Sequence, residues 1–460
     1  MSQISSLDPI VSLAKRRGFI FQDSEIYGGM ANSWDYGPLG VLLKNNLKQA
    51  WWKFFVQSQP DIVGVDSSII MNAKVWEGSG HIQNFTDPLV ECKRCHHRFR
   101  ADHILPIKSA EPKHEREDII EIVSVPCPDC GGELTDVKQF NLMFKTHVGA
   151  TEDNGVVAYL RPELAAGMFT NFKNILDTMR VRVPFGIAQQ GRVFRNEITT
   201  GNFIFRMREF EIMEFEYFVR VDEWEKHFER WLSEIKRWWK DIMKVNDAHL
   251  FFQEIGEKER AFYSRRTVDI EYDFPFGRTE LHGLAYRTDF DLKRHMEMSG
   301  VNLSYHDPLT GETFIPHVIE PSFGVDRLFL VALLEHYEEI EGGRAEEVGS
   351  KHEKEIVLRL PKYLAPITVA ILPLSKKESL QAIGLEIQRD LSGAWMTQYD
   401  ETGSIGKRYR RQDEIGTPYC VTVDFESLED KQVTVRDRDT MRQERVAIEE
   451  LKEYLKNKLA

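Results

Sequence analysis

Four arginines and five glutamates share one aromatic-rich stretch, residues 191–218, which reads GRVFRNEITTGNFIFRMREFEIMEFEYF. The arginines are Arg192, Arg195, Arg206 and Arg208; the acids are Glu197, Glu209, Glu211, Glu214 and Glu216. Planar guanidinium forks match anionic oxygens bidentately, and the interleaved Phe194, Phe203, Phe205, Phe210 and Phe215 offer faces for a flat ring. The combination suits an anionic, ring-bearing ligand. The plainer alternative is a solvated antiparallel edge with cross-strand ion pairs, since charge buried in a sheet is costly unless matched.

A second chemistry belongs to the cysteines. Cys92-x-x-Cys95 and Cys127-x-x-Cys130 hold four of the five cysteines in the chain, and the second pair reads CPDCGG. Two such knuckles suit one tetrahedral zinc ion, and four thiolates leave no open position, so the zinc is expected to be structural. His96 and His97 are expected to be exposed, and Cys420 to be simply buried. Further candidates are Glu163 after Arg161-Pro162, then Glu280, Arg287 and Asp289 in GRTELHGLAYRTDFDLKRH, and Glu320, Ser322, Gly324 and Arg327 in HVIEPSFGVDRLFLVALLEHYEE. A carboxylate at a helix start is often only a dipole partner, whereas Gly324 permits close backbone approach.

These groups need elements to carry them. The central stretch predicts strands over 187–195 and 208–218 joined by the turn-forming Thr199-Thr200-Gly201-Asn202, with Phe210, Ile212, Glu214 and Glu216 at period two. Helices are expected over 10–17 and 39–56, followed by a strand over 62–71. A strand should end at Arg161-Pro162, with Glu163 in the first turn of the next helix. Residues 221–246 predict one long helix whose stripe of Trp224, Phe228, Trp231, Ile235, Trp238 and Ile242 is core packing. A strand follows over 266–274. Residues 109–118 read as a charged loop or frayed helix, and 338–355 as a charge-dense linker. From about 356 the pattern alternates strand and helix, with Lys407, Arg408, Arg410 and Arg411 clustered and diluted by Asp413 and Glu414.

At 460 residues the chain has room for two or three domains, and 42% hydrophobic with 29% charged residues is ordinary globular composition. A net charge of -13 argues against a general nucleic-acid coat but permits a local basic patch. No stretch has the length of a membrane span and the start lacks a signal-peptide pattern, so a cytoplasmic protein is expected. Neither GxxxxGK[ST], HIGH, KMSKS nor a strand-linked GxGxxG occurs, which disfavours P-loop, class I synthetase and nicotinamide chemistry.

FRNE, a loop and RMREFEIMEFEYF together resemble the second signature of class II aminoacyl-tRNA synthetases, in the form found in the glycyl family. The passages MNAKVWEGSGHIQNFTDPLVECKRC, GSIGKRYRRQDEIGTP and VTVRDRDTM extend that resemblance over nearly the whole chain. It implies an α+β catalytic domain on an antiparallel sheet over 1–355, with a zinc-ribbon insertion at about 88–140 and a helical insertion at about 221–265. An α/β anticodon-binding domain over 356–460 is implied to follow. The implied activity is glycine activation by ATP with Mg2+, then transfer to tRNA(Gly), in a homodimer whose interface the first helix–strand pair builds.

By the same resemblance Arg195 holds the α-phosphate, Glu197 the adenine amino group, Arg206 or Arg208 the outer phosphates, and Phe210 stacks on the base. Asn196, Phe205, Met207, Glu209, Glu280 and Leu281 complete that part of the ATP site, with Glu280 a magnesium ligand. The third signature adds Gly324, Val325, Asp326 and Arg327, and Arg195, Arg208 and Arg327 are the implied catalytic cations. Glycine is implied to meet Glu163, Glu214, Glu320 and Ser322, with Arg100 from FRADH and Arg287, which would also lie near the triphosphate. Phe210, Glu211, Ile212, Met213, Pro321, Phe323 and Gly324 complete the implied glycine pocket. Lys407, Arg408, Arg410 and Arg411 are the implied RNA contacts. The family commonly has Thr and Gln where this chain has Leu164 and Ala166. That departure leaves open the same fold acting on alanine, serine, threonine or proline, and a binding paralogue without activation is the non-enzyme alternative.

Overall fold

The computed structural model describes residues 5–104, 125–150, 155–261, 263–344 and 354–459; the expected loop or frayed helix at 109–118 lies outside the described residues. A seven-stranded sheet organises the N-terminal part. Its strands in chain order are β1 (Ile62–Gly64), β2 (Phe185–Phe194), β3 (Glu209–Val219), β4 (Leu250–Glu254), β5 (Arg266–Phe274), β6 (Gly277–Thr288) and β7 (His317–Gly324). The spatial order is β4-β5-β6-β7-β3-β2-β1, antiparallel throughout except for the parallel β2–β1 pair at the edge. The central β2–β3 hairpin runs in unbroken register from Phe185↔Phe218 to Phe194↔Glu209.

Period two assigns the faces. Met213, Phe215, Tyr217 and Val219 of β3 enter the larger core. There they meet α1 (Pro38–Trp52) and, after α2 (Ala165–Met179), α3 (Trp224–Arg237). Ile212 and Phe218 enter a second core with α2 and the later α4 (Phe290–Ser299). After β7 the apolar α5 (Val325–His336) returns through the larger core. The aromatic stripe of α3 is core, with Phe228, Trp231, Ile235 and Trp238 fully buried.

Several expected elements are shaped differently. The strand over 62–71 is two: β1 joins the main sheet, while Ile70–Asn72 pairs with Val156–Leu160 in a separate sheet. The first long helix passes into a widened turn at Lys53–Gln57, and α3 does the same at Trp238–Ile242. The chain then reverses at Lys244, whose φ is +53°, and β4 pairs with β5, so the expected helical insertion does not reach 265. Glu163 precedes α2 rather than lying in its first turn, because Leu164 is the N-cap. The expected linker begins and ends in paired strand, Tyr337–Ile340 against Glu355–Leu358, and 345–353 lies outside the described residues.

The C-terminal part carries a five-stranded mixed sheet. Its strands are β8 (Val369–Pro373), β9 (Thr397–Tyr399), β10 (Tyr419–Val423), β11 (Gln432–Asp437) and β12 (Gln443–Ala447). Their order is β9-β8-β10-β11-β12, packed by α6 (Glu378–Ser392) and bordered by α7 (Ile405–Ile415). A buried bidentate pair, Arg436 to Asp413 at 2.9 Å on both arms, ties α7 to β11. No described helix is long and apolar enough to cross a membrane.

Candidate active site

A cavity of about 530 Å³ opens on the face of the main sheet that carries Phe210, Ile212 and Glu214. Its two ends differ in charge. Arg195, Arg206 and Arg327 line one end together with Glu197, Phe205, Met207, Phe210, Glu280 and Leu281. Arg195 follows β2, where its Nε donates to the Pro162 carbonyl (3.1 Å) and its guanidinium lies 5.4 Å from the Phe210 ring centre. Arg327, in the first turn of α5, donates from Nη1 to the Glu280 carbonyl (2.8 Å) and lies over the Phe205 ring. Asp269 of β5 also faces this end. Burial, then Glu280 and Glu271, push its carboxyl up to about 7.

The other end is acidic and deep. Glu163, Glu214, Glu320 and Ser322 line it. Glu214 accepts from the Leu164 N–H and the Ser322 hydroxyl, both at 2.8 Å. Burial acts to raise the Glu163 carboxyl, yet His81 at 3.3 Å, with Arg287 and Arg195 behind it, holds it at about 2. Burial pushes Glu320 up to about 8 against the pull of Arg287, and Glu214 is raised by burial and by Glu163. Arg287 is 1% exposed; it grips Asp291 with two N–H groups and Glu320 with a third, all at 2.8 Å. Tyr263 covers the guanidinium at 3.9 Å. Arg100 reaches the cavity wall too, held by Asp87 (2.7 Å) and Asp102 (2.8 Å).

Other expected contacts are placed elsewhere. Glu211 and Met213 alternate with the cavity-facing residues, so they point through the sheet: Met213 into the core, Glu211 toward Lys48 (2.8 Å) and Lys44 (3.4 Å) of α1. Phe323 and Val325 are core residues, and Pro321 lies between cavity-facing Glu320 and Ser322. Glu209 is exposed and paired with Arg192. Asn196 and Arg208 stand outside the lining, where the Asn196 N–H is bound by the Leu142 carbonyl and the Arg208 carbonyl by the Arg195 N–H. Arg206, not Arg208, faces the cavity. Arg287 belongs wholly to the acidic end, with its donors directed at Asp291 and Glu320 rather than at a triphosphate. Gly324 and Asp326 line the cavity, and Asp326 also accepts from the Glu211 N–H (2.8 Å) and from Tyr36.

Leu164 and Ala166 pack in apolar clusters and do not line the cavity. The contact that residue 164 makes to Glu214 comes from its backbone, which leucine supplies as well as threonine. His81, Tyr263 and Asp269 were not legible as site residues, because only the tertiary fold brings their segments to the cavity.

The four knuckle thiols form one group, with every Sγ within 4.8 Å of the others. Cys92–Cys130 and Cys95–Cys127 are 3.5 and 3.7 Å apart. A tetrahedron with zinc–sulfur bonds of about 2.3 Å has edges of about 3.8 Å. Gly132 is required beside it, since a Cβ there would lie 3.0 Å from the Cys92 sulfur. His96 and His97 are exposed, and Cys420 is buried, which pushes its thiol up. In the C-terminal part Lys407 and Arg410 are exposed. Arg408 is not an available RNA contact: it is 1% exposed and its Nη1 donates to the carbonyls of Pro373 (2.6 Å) and Asp400 (3.0 Å). Arg411 is tied to Asp400.

Residues 144–337 match the family model described as tRNA synthetase class II core domain (G, H, P, S and T), and 368–458 match the anticodon binding domain. The glycine–tRNA ligase of Alkaliphilus oremlandii is 51% identical over 470 aligned positions, covering all of both chains. The chain belongs to the glycine–tRNA ligase family of class II synthetases. Those of Clostridium acetobutylicum, 51% identical over the whole of both chains, and Geobacillus thermodenitrificans, 51% identical over 99% of this chain and 98% of the relative, are similar throughout. The similarity therefore spans the C-terminal part as well as the sheet.

Proposed function

We propose that the chain is a glycine–tRNA ligase, joining glycine to ATP as an adenylate and passing the glycyl group to the terminal adenosine of its tRNA. One observation carries the reading: a single cavity places arginines at one end and buried acids at the other, as a phosphate-bearing nucleotide and a small ammonium-bearing substrate require. The carboxylate of glycine attacks the α-phosphorus and pyrophosphate leaves. The attacking group is already ionised, so no side-chain base is needed. Arg195, Arg206 and Arg327 offset charge at phosphorus, and rate comes from alignment and fixed electrostatics. Phe210 and Glu197 suit the base.

Glu163, Glu214 and Glu320 suit the ammonium, with Ser322 orienting Glu214. Discrimination against alanine rests on space, since one methyl is worth only about 1–3 kcal/mol in an apolar pocket. Glu280 and Asp269 offer hard oxygen donors that could hold Mg2+; burial first, and then the neighbouring Glu280 and Glu271, raise the Asp269 carboxyl. Bound there, Mg2+ supplies positive charge beside the phosphates. The four cysteines would hold zinc in a ribbon-like insertion near 88–140 whose strands, Thr86–Glu91, Arg98–Arg100 and Lys138–Asn141, also carry Arg100. We divide the chain near 355 into the catalytic unit and the tRNA-reading unit, with Lys407 and Arg410 as RNA contacts. We also propose a homodimer, to which the exposed Ile26 and Tyr27 of the single helical turn at Glu25–Tyr27 would offer apolar surface.

The test is amino-acid-dependent ATP–pyrophosphate exchange with glycine, alanine, serine, threonine and proline. Exchange with glycine alone is expected. Exchange with another of these redirects the specificity reading, and none at all in folded, zinc-replete protein overturns the enzyme reading.

A further inference from the structure

Beneath the acidic end lies a carboxyl that this chemistry does not use. Glu216 follows Glu214 by two residues on β3 and so shares its face. It is fully buried, and neither of its carboxyl oxygens has a hydrogen-bond partner. Its oxygen lies within 4.8 Å of those of Glu214 and Glu320. Glu216 does not line the cavity; Glu214 and Glu320 stand between it and any ligand.

The charges around it come from several elements. Glu214 shares its strand, Glu320 lies on β7, Arg287 on β6 and Asp291 on α4. Farther out stand Glu163 with His81, then Tyr263 and His295. Five carboxyls thus surround one guanidinium, whose donors are directed at Asp291 and Glu320. The substrate ammonium would bring a second positive charge, still fewer than the acids. An ionised carboxylate without solvent or donor is the costliest state available to Glu216, while a neutral acid beside a carboxylate acceptor is a stable one.

We infer that Glu216 is a positioning residue of the amino-acid pocket: it stays a neutral carboxylic acid, and its O–H holds the Glu320 carboxylate through one bridging water at the angle that meets the substrate ammonium. The inference rests on the reading of this end as the amino-acid site. Glu320 suits the acceptor role because Arg287 occupies its Oε1 (2.8 Å) and leaves the other oxygen for such a donor. Burial raises its carboxyl to about 8, but the Arg287 pair and an arriving ammonium favour its ionisation over that of Glu216, which has no donor at all. Burial first, and then the Glu320 charge, raise the Glu216 carboxyl well above the usual range, in keeping with a retained proton. An ionised Glu216 would instead repel Glu320 and draw the proton onto it, removing the charge the ammonium needs.

The test compares the full chain with Glu216→Gln and Glu216→Leu in glycine-dependent exchange, measuring the KM for glycine and for ATP from about pH 6.5 to 9.5. Glutamine keeps the shape, the neutrality and a donor. Its glycine KM is expected within about threefold of the parent near neutrality, whereas leucine, losing the donor to a charged group, raises it about 10- to 100-fold. The ATP KM stays level in both. Above neutrality the ratio of parent to Gln-variant glycine KM should climb as Glu216 ionises in the parent alone; loss of glycine's own ammonium is common to both and cancels. A Gln variant as impaired as the Leu variant, a Leu variant with normal glycine KM, or a flat ratio across pH overturns the inference. Should the Leu variant not fold, the alkaline ratio of the Gln variant decides by itself. A parent chain that does not exchange with glycine overturns the pocket reading and this inference together; a parent that exchanges beside a failing Gln prediction overturns this inference alone.

Discussion

Arg287→Met is the perturbation that most directly probes the acidic end. The guanidinium is 1% exposed, makes three hydrogen bonds of 2.8 Å to Asp291 and Glu320, and is covered by Tyr263. Methionine approximates the stem but strands two buried carboxyls, and breaking a buried pair by removing one partner costs about 3–5 kcal/mol. The loss should depend on pH in a definite direction. Glu320 stands at about 8 even with Arg287 pulling it down, so its removal raises that carboxyl further above its unfolded value. The folded variant then binds more protons than the unfolded chain, and its stability falls as pH rises toward and through the raised value; acidification narrows the deficit. Urea unfolding followed by tryptophan emission suits the measurement, because every tryptophan except Trp395 lies in the N-terminal part. Adding Asp291→Asn removes one stranded charge and should return about 1–2 kcal/mol, a coupling expected of residues in contact. A single-variant loss under about 1 kcal/mol, or strict additivity with Asp291→Asn, would refute the claim that this guanidinium neutralises the pocket floor.

Three further outcomes are expected. Purified protein should carry about one zinc per chain by elemental analysis, and Cys92→Ser should lose it and become at least about tenfold more sensitive to protease near 88–140; metal-free protein with unchanged sensitivity would count against the cluster's role. Lys407→Ala should weaken tRNA binding by about threefold and flatten its salt dependence without changing the thermal midpoint. Arg408→Ala, by contrast, should lower the stability of the C-terminal part by about 2–3 kcal/mol, since it leaves buried carbonyls without a donor.

Local chemistry made much of this protein legible from its residues. Period two along 208–218 predicts a strand with Phe210, Ile212, Glu214 and Glu216 on one face, and β3 has that face. The two Cys-x-x-Cys pairs announce a cluster because each knuckle is a local turn, and the four sulfurs converge. The aromatic repeat of 224–242 marks a buried helix face for the same reason. Motif resemblance carried the central arginines and acids to one site, but it assigned whole runs of residues. The alternation within those runs sends Glu211, Met213 and Phe323 to the opposite side of the sheet. That correction was available from periodicity, and the runs obscured it.

Other features depended on segments far apart in the chain. A basic run such as 407–411 reads as surface until the fold shows that Arg408 is enclosed by the carbonyls of 373 and 400. His81 becomes the partner of Glu163 only when the helix at His81–Asn84 packs beside the start of α2. Likewise Arg287, Asp291, Glu216 and Glu320 are ordinary charges along the sequence, and become one buried network because β6, α4, β3 and β7 converge there. Periodicity and turn chemistry are properties of neighbouring residues, so the sequence by itself determined most of the elements, the cysteine knuckles and the family. Burial and electrostatic pairing depend on what lies across a gap in space, so only the tertiary structure decided which charges meet a ligand, which hold the frame, and which one has to keep its proton.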